Sequence, residues 1–185
     1  MTPLNWALVI IAIAAIVFAI IFSLRTRTKN LRSRFGPEYD RVVREQGSTL
    51  KAERELEHRE KRVEKFNVRR LSDQESDQFA REWRATQEKF VDDPRGAVAD
   101  ADRLVHRAMK ARGYPTGGEF DDRAADLSVD HPLVVEHYRA SHEIAVRDER
   151  NGASTEDLRL AMKHYRALFE DLLGRHVEEV TGARR

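Results

Sequence analysis

The segment from Ser154 to Leu173 reads S-T-E-D-L-R-L-A-M-K-H-Y-R-A-L-F-E-D-L-L, and it decides the fold class. Its apolar residues recur every three or four positions, the spacing of one face of an α-helix. They are Leu158, Met162, Tyr165, Phe169 and Leu172, with Leu168 and Leu173 beside them. The S-T-E-D start resembles a capping box, in which a hydroxyl and an acid three residues later bond each other's backbone N–H groups. The segment therefore predicts an amphipathic helix over 155–173.

Three further segments show the same helical spacing of apolar residues, over 73–91, 94–112 and 132–150. Pro94 and Pro132 fit the first turn of a helix, where the missing N–H is not needed. No segment has the alternation of polar and apolar residues that is typical of a half-buried strand. The sequence therefore predicts an all-α bundle of about four helices within 69–176, with a long loop over 114–129 and a tail over 177–185.

A charged helical stalk is predicted between this bundle and the amino-terminal part, over 35–68. Helix-forming sequence runs from Pro37 to about Phe66 and is interrupted at Gly47-Ser48. Leu56 and Val63 are seven residues apart, which allows a short coiled coil. Thr49 and Glu53 spoil a sustained seam, so a solvated stalk lying partly on the bundle is the favoured alternative.

The amino-terminal segment 4–24 contains 21 residues without a charge, and about 20 apolar residues are needed to cross a bilayer as a helix. This pattern predicts one transmembrane helix. The basic juxtamembrane segment 25–34 follows at once, and its positive residues predict an inner-membrane topology with the amino terminus outside and the carboxyl-terminal domain in the cytoplasm. The same residues are candidate contacts for anionic lipid headgroups: Arg25, Arg27, Lys29, Arg32 and Arg34. The small residues Ala15, Ala19 and Ser23 allow close helix pairing, and hence a homodimer.

The charge balance of the remaining chain argues against nucleic-acid binding. All 32 acidic residues lie beyond Phe35, together with 28 of the 33 basic ones, which gives this part a net charge of −4. A nucleic-acid interface needs a positive surface to neutralise phosphates. The chain has no Cys, which excludes disulfides, thiol catalysis and cysteine metal sites. We expect no cofactor.

A cluster of acids and histidines over 123–139 has two interpretations. Asp126, Asp130, His131 and His137 are candidate metal ligands or acid/base groups of a metal-dependent enzyme. The favoured interpretation is a helix start, in which Asp130 caps a helix opened by Pro132, as Asp93 does before Pro94. His131 is the one residue that capping does not require.

An internal repeat supplies a second candidate site. H-Y-R-A occurs at 137–140 and again at 164–167, each followed by Glu three residues later. The repeat predicts two tyrosines in the core with flanking ion pairs. The alternative is a pocket for an anionic ligand, formed by Tyr138, Arg139, Tyr165 and Arg166, because guanidinium groups bind carboxylates and phosphates.

Several motifs are similar to those of a family of uncharacterised bacterial membrane proteins. They are R-F-G-P-E-Y-D-R (34–41), F-V-D-D-P (90–94), R-G-Y-P (112–115), A-D-L-S-V-D-H-P (125–132) and A-S-T-E-D-L-R (153–159). The resemblance covers essentially the whole chain after the apolar segment. It implies a membrane-anchored helical domain from a bacterium, and it implies no activity, ligand or catalytic residue.

These patterns together predict a non-enzymatic, membrane-tethered interaction or scaffold module that binds a still unidentified protein partner. No phosphate-binding loop, G-x-S-x-G or H-E-x-x-H motif occurs in the chain. The second hypothesis is a membrane-anchored sensor that binds a small anion between the two H-Y-R-A helices. The third is the metal-dependent enzyme.

Overall fold

The structure, a computed structural model, describes the backbone of residues 3–150 and 152–174. The side chains of residues 3–12, 14, 17, 20, 21 and 24, and the predicted tail 177–185, lie outside the described part. Within that part the chain is all-α, with eight helices and no strand, so the predicted fold class is confirmed in this respect. The helices are α1 Pro3–Phe35, α2 Pro37–Gln46, α3 Thr49–Val63, α4 Asp73–Lys89, α5 Pro94–Arg112, α6 Phe120–Asp130, α7 Val135–Glu149 and α8 Thr155–Leu172.

The chain divides into two compact units, Met1–Leu56 and Glu57–Arg185. In the second unit, α8 packs mainly against α7 and α5, and α5 also packs against α4. The predicted stripe of α8 is buried, and the ring of Trp83 from α4 stacks on that of Phe169 with centroids 4.8 Å apart. The strongest sequence pattern therefore forms the centre of this unit.

Local sequence signals set the ends of the bundle helices. Ser72 and Glu75 form a complete capping box at α4, and Ser154 and Asp157 form another at α8. At α5, Asp93 directly precedes Pro94, and its carboxylate accepts a hydrogen bond from the backbone N–H of Gly96 at 2.9 Å. Each of these bonds satisfies an N–H that has no partner inside its helix.

Gly113 ends α5 at a position that only glycine fits. Its φ of +95° lies in the left-handed region, which costs a side chain steric energy. A Cβ atom there would stand 2.4 Å from the backbone oxygen of Asn67. The chain after α3 therefore passes directly over the end of α5, and Arg69 donates its N–H to the Arg112 carbonyl at 2.8 Å.

The first unit contains the predicted helix break at Gly47, which has a φ of +62° and ends α2. The buried Glu53 carboxylate accepts the hydroxyls of Thr28 at 2.6 Å and Tyr39 at 3.1 Å. Two residues of the basic segment also find acids, since Arg27 lies 3.7 Å from Glu53 and Arg32 lies 3.1 Å from Asp40. The interaction of this segment with lipid headgroups and the homodimer stay predictions.

The predicted transmembrane helix is contradicted. In the part of the chain that the structure describes, no helix has both the length and the apolar character needed to cross a membrane. Helix α1 is long, but it continues without interruption through the charged residues up to Phe35. The single-pass inner-membrane localisation depended on that span and is contradicted with it.

The predicted loop over 114–129 contains a helix that sequence patterns did not indicate. Helix α6 begins at Phe120 and buries Ala124 and Leu127, which lie four and seven residues later on one face. The Phe120 ring stacks on the imidazole of His142 from α7, with centroids 3.7 Å apart. The apolar stripe of α6 has only about one large residue per turn and is short. It also follows Gly117-Gly118, so the sequence pattern did not indicate a helix.

Candidate functional site

The acids of the predicted acid and histidine cluster have separate partners. The Asp126 carboxylate accepts from Arg62 Nε at 2.6 Å, and burial raises the pKa of Asp126 although the arginine opposes that shift. The Asp130 carboxylate accepts the Tyr114 hydroxyl at 2.7 Å. Among the described residues, no group of three or more histidines and acids is arranged to hold a metal ion.

The prediction that Asp130 caps a helix is wrong. Asp130 is the last residue of α6, so its backbone is helical rather than extended. The following helix, α7, begins at Val135, and its N-cap residue Val134 makes no side-chain cap bond. The Asp-X-Pro pattern marks a helix start at Pro94 but a turn between two helices at Pro132.

His131 is the middle member of a hydrogen-bonded series of three side chains, which come from three parts of the fold. Its Nδ1 contacts the Asp171 carboxylate of α8, and its Nε2 lies 3.0 Å from Nη1 of Arg112 at the end of α5. Because a guanidinium can only donate, Nε2 must accept and the ring proton must lie on Nδ1, facing the acid. The nitrogen that a catalytic histidine would present to a substrate is thus occupied, and the histidine orients Arg112.

Two backbone carbonyls also hold the Arg112 guanidinium. Its Nε donates to the Arg69 carbonyl at 3.2 Å, and its Nη1 donates to the Leu172 carbonyl at 3.2 Å. The second bond satisfies a carbonyl in the last turn of α8, where the helix dipole favours a positive charge. Within the described part of the chain, Nη2 of Arg112 makes no hydrogen bond, and the guanidinium carbon lies over the Tyr114 ring, 5.8 Å from its centroid. The group is therefore held through Nε and Nη1, and Nη2 is the donor left for a ligand.

Arg112 and His131 border a cleft of about 430 Å³, which we call the arginine cleft. The carboxyl-terminal ends of α5, α6 and α8 meet here, and all the bordering residues lie in the second unit. Arg70 supplies a second guanidinium, which is exposed and forms no ion pair among the described residues. The remaining bordering residues are Leu71, Asp130, Asp171, Leu172, Leu173 and Gly174.

The tyrosines of the internal repeat form a second polar group, the tyrosine network. Both are fully buried, and both reach α5. Tyr165 donates its hydroxyl to Asp102 at 2.9 Å, while the Tyr138 hydroxyl lies 3.0 Å from His106 Nε2. Arg123 of α6 approaches the Tyr138 hydroxyl at 3.4 Å. The hydroxyls of both tyrosines meet the same turn of α5, which supports their interpretation as core residues.

Burial controls the proton affinities in the tyrosine network. It raises the pKa of both tyrosines, and the charge of Asp102 raises that of Tyr165 further. Burial also lowers the pKa of His106, so the neutral imidazole is favoured. Both hydroxyls therefore stay protonated at neutral pH and act as hydrogen-bonding groups rather than as acids.

The arginines of the predicted anion pocket do not accompany the tyrosines. Arg166 is exposed and donates to Glu170 of the same helix at 2.6 Å, as expected for residues four apart. Arg139 is half-buried on α7. The hydroxyl of each tyrosine is already bonded within the protein, so the geometry gives an anion no free donor there.

The histidines of the repeat meet directly, and we call them the histidine pair. His137 Nδ1 of α7 lies 2.9 Å from His164 Nδ1 of α8, and the two ring planes are inclined by 29° with centroids 5.0 Å apart. Both side chains are half-buried. Burial and the neighbouring His137 lower the pKa of His164.

Sequence reasoning missed Arg70, Arg112, Asp171 and His164. The first three come from separate segments, and no local pattern relates them. His164 could have been found, because the repeat places it opposite His137 whenever the two helices pack side by side.

No protein-family model, curated protein or solved structure that we searched matches this chain. The resemblance to bacterial membrane proteins therefore stays an untested expectation.

Proposed function

We propose that this protein is a non-enzymatic binding module that captures an anionic group, a carboxylate or a phosphate, in the arginine cleft. The observation that carries the proposal is the Arg112 guanidinium, held by Arg69, His131 and Leu172 and without a bond at Nη2 among the residues that the structure describes. A guanidinium positioned in advance loses little conformational entropy when it binds an oxyanion. The tethering that was expected from a transmembrane helix is not part of this proposal.

The surroundings of Arg112 support an anionic ligand. Arg70 adds a second positive charge without an acid partner among the described residues. The two acids at the cleft are already engaged, since Asp130 accepts from Tyr114 and Asp171 contacts His131. A volume of about 430 Å³ lies within the usual range of ligand sites, about 300–1,000 Å³.

The contacts that link Arg112 to His131 and His131 to Asp171 favour binding over catalysis. A general base needs a nitrogen or oxygen that can reach a substrate proton. His131 uses both ring nitrogens within the protein, one for Asp171 and one for Arg112. The arrangement therefore positions a charge and leaves no histidine nitrogen to move a proton.

The test is titration of the full chain with inorganic phosphate and with succinate at constant ionic strength. Binding is measured through the changes in the amide chemical shifts of the protein. We expect shifts at the ends of α5, α6 and α8, and about tenfold weaker binding by Arg70→Ala, since a charge-assisted bond contributes about 1.5–3 kcal/mol. Arg84→Ala is the matched control, because Arg84 is equally exposed on α4 but does not border the cleft.

The proposal fails if Arg70→Ala and Arg84→Ala weaken binding equally, or if the shifts lie elsewhere. A parallel affinity capture with crosslinked wild-type protein and the same two variants distinguishes a free anion from the side chain of a protein partner. A captured protein that is lost only with Arg70→Ala assigns the anionic group to that partner.

A further inference from the structure

The histidine pair lies outside the arginine cleft and has no role in the proposed function. His137 and His164 occupy the same position in the two copies of H-Y-R-A, and the packing of α7 on α8 brings them together. Their Nδ1 atoms face each other 2.9 Å apart, and this is the only polar contact that either ring makes among the described residues. In the same part of the chain, neither imidazole has the carboxylate or carbonyl partner that usually holds a structural histidine.

The distance between the nitrogens matches chelation of one metal ion. Imidazole nitrogens bind divalent transition metals at about 2.0–2.1 Å. Two such nitrogens at right angles around one ion are about 2.9 Å apart, which is the adjacent-ligand spacing of square-planar or octahedral coordination. The observed separation of 2.9 Å equals this value, and without an ion it is the length of the N–H···N hydrogen bond that joins the two rings.

We propose that His137 and His164 form a binding site for a borderline transition metal, Cu²⁺ or Ni²⁺, that bridges α7 and α8. Imidazole ligands and tetragonal geometry favour these two ions over Mg²⁺ or Ca²⁺, which prefer oxygen. In the bound state both rings carry their proton on Nε2, and both Nδ1 lone pairs go to the ion. Binding therefore needs a tautomer change in one ring and no further reactant.

The surroundings leave the remaining coordination positions open. Both imidazoles are half-buried, so an ion between them reaches solvent on one side. Among the described residues no third histidine or acid completes a larger ligand group, and water fills the other positions. The charge of Glu136 acts on His164, which partly offsets the positive charge of a bound ion.

The experiment is titration of the full-length protein, without a histidine tag, with Cu²⁺, Ni²⁺ and Mg²⁺. Binding is measured by calorimetry and by thermal unfolding, and the Cu²⁺ complex is also examined by electron paramagnetic resonance. We expect one bound Cu²⁺, a raised Tm, and a spectrum with two equivalent nitrogen ligands. His137→Asn and His164→Asn should each weaken binding at least tenfold and leave one nitrogen in the spectrum, whereas Mg²⁺ should not bind.

His58→Asn is the matched control, since His58 is an exposed histidine on α3. It should leave the affinity and the spectrum unchanged. Circular dichroism of each variant without metal establishes that the helices are retained. Equal Cu²⁺ affinity in the wild type and both pair variants, or a spectrum without two nitrogens, would overturn the proposal.

Discussion

The two copies of H-Y-R-A place identical residues in different surroundings. In α7, Tyr138 shares its hydroxyl with the neutral imidazole of His106 and with Arg123. In α8, Tyr165 donates to the carboxylate of Asp102. Both rings are fully buried, so the packing of the two copies is alike while their hydrogen bonding differs.

The difference comes from α5, the helix that both copies contact. Asp102 and His106 lie four residues apart on α5 and so face the same way, with His106 Nδ1 3.6 Å from the acid. One turn of α5 therefore presents an acid to one tyrosine and an imidazole to the other. A sequence repeat fixes which residues point inward, but the neighbouring helix decides what each polar group meets.

The largest expected effect is loss of either ring, which tests whether the two copies are alike in packing. Tyr138→Ala and Tyr165→Ala should each lower the free energy of unfolding by about 3–5 kcal/mol, the range for removing a buried aromatic side chain. Urea denaturation monitored by circular dichroism measures both. A cost below about 1 kcal/mol for one of them would show that its ring is not in the core.

A smaller effect should separate the two copies by their hydrogen bonds. Tyr165→Phe leaves a carboxylate without its donor and should cost about 1.5 kcal/mol or more, since bonds to charged groups contribute about 1.5–3 kcal/mol. Tyr138→Phe removes a bond to a neutral ring and a long contact to Arg123, and should cost about 1 kcal/mol or less. The same denaturation experiment applies, and the reverse order would contradict the assigned partners.

The smallest effect is the pH dependence that His106 contributes beside Tyr138. Burial lowers the pKa of His106 in the folded protein below its ordinary value of 6.5. The unfolded chain therefore binds the proton first, so the free energy of unfolding should fall as the pH drops through about 6.5 and level off below the folded-state pKa.

Denaturation at pH 7.5 and at pH 5.5, at about one pH unit on either side of the ordinary histidine pKa, measures this slope. His106→Gln, which keeps a hydrogen-bonding group, should reduce it, and His58→Gln, at an exposed position on α3, should not. Identical slopes for the wild type and His106→Gln would show that His106 titrates normally.

Local patterns predicted much of the bundle because the signals lie within a few residues. Helix α5 has the predicted bounds 94–112, set by Asp93 and Pro94 at one end and Gly113 at the other. The capping box at Ser154 likewise forms as the S-T-E-D sequence indicates, and S-D-Q-E at Ser72 forms another. Each involves residues three apart, and such bonds need no information from the rest of the chain.

The prediction for Asp130 failed because its pattern was read without its tertiary neighbours. Asp130 resembles an N-cap in sequence, but α6 continues through it and the Tyr114 hydroxyl takes its carboxylate. The apolar segment 4–24 met the length for a span, but no helix of the described residues meets the full requirement. Of the residues at the two candidate sites, Asp130, His131 and His137 were singled out from the sequence, each without the partners that define it.

The sequence by itself determined the all-α class, the four main helices of the second unit and the burial of both repeat tyrosines, because helical periodicity and capping are local. Only the tertiary structure decided that the side chains of Arg112, His131 and Asp171 form one hydrogen-bonded series. It also decided that the rings of His137 and His164 meet. Their spacings in sequence, 19, 40 and 27 residues, carry no geometric information until α5, α7 and α8 pack together. Packing therefore turned scattered polar residues into two candidate sites.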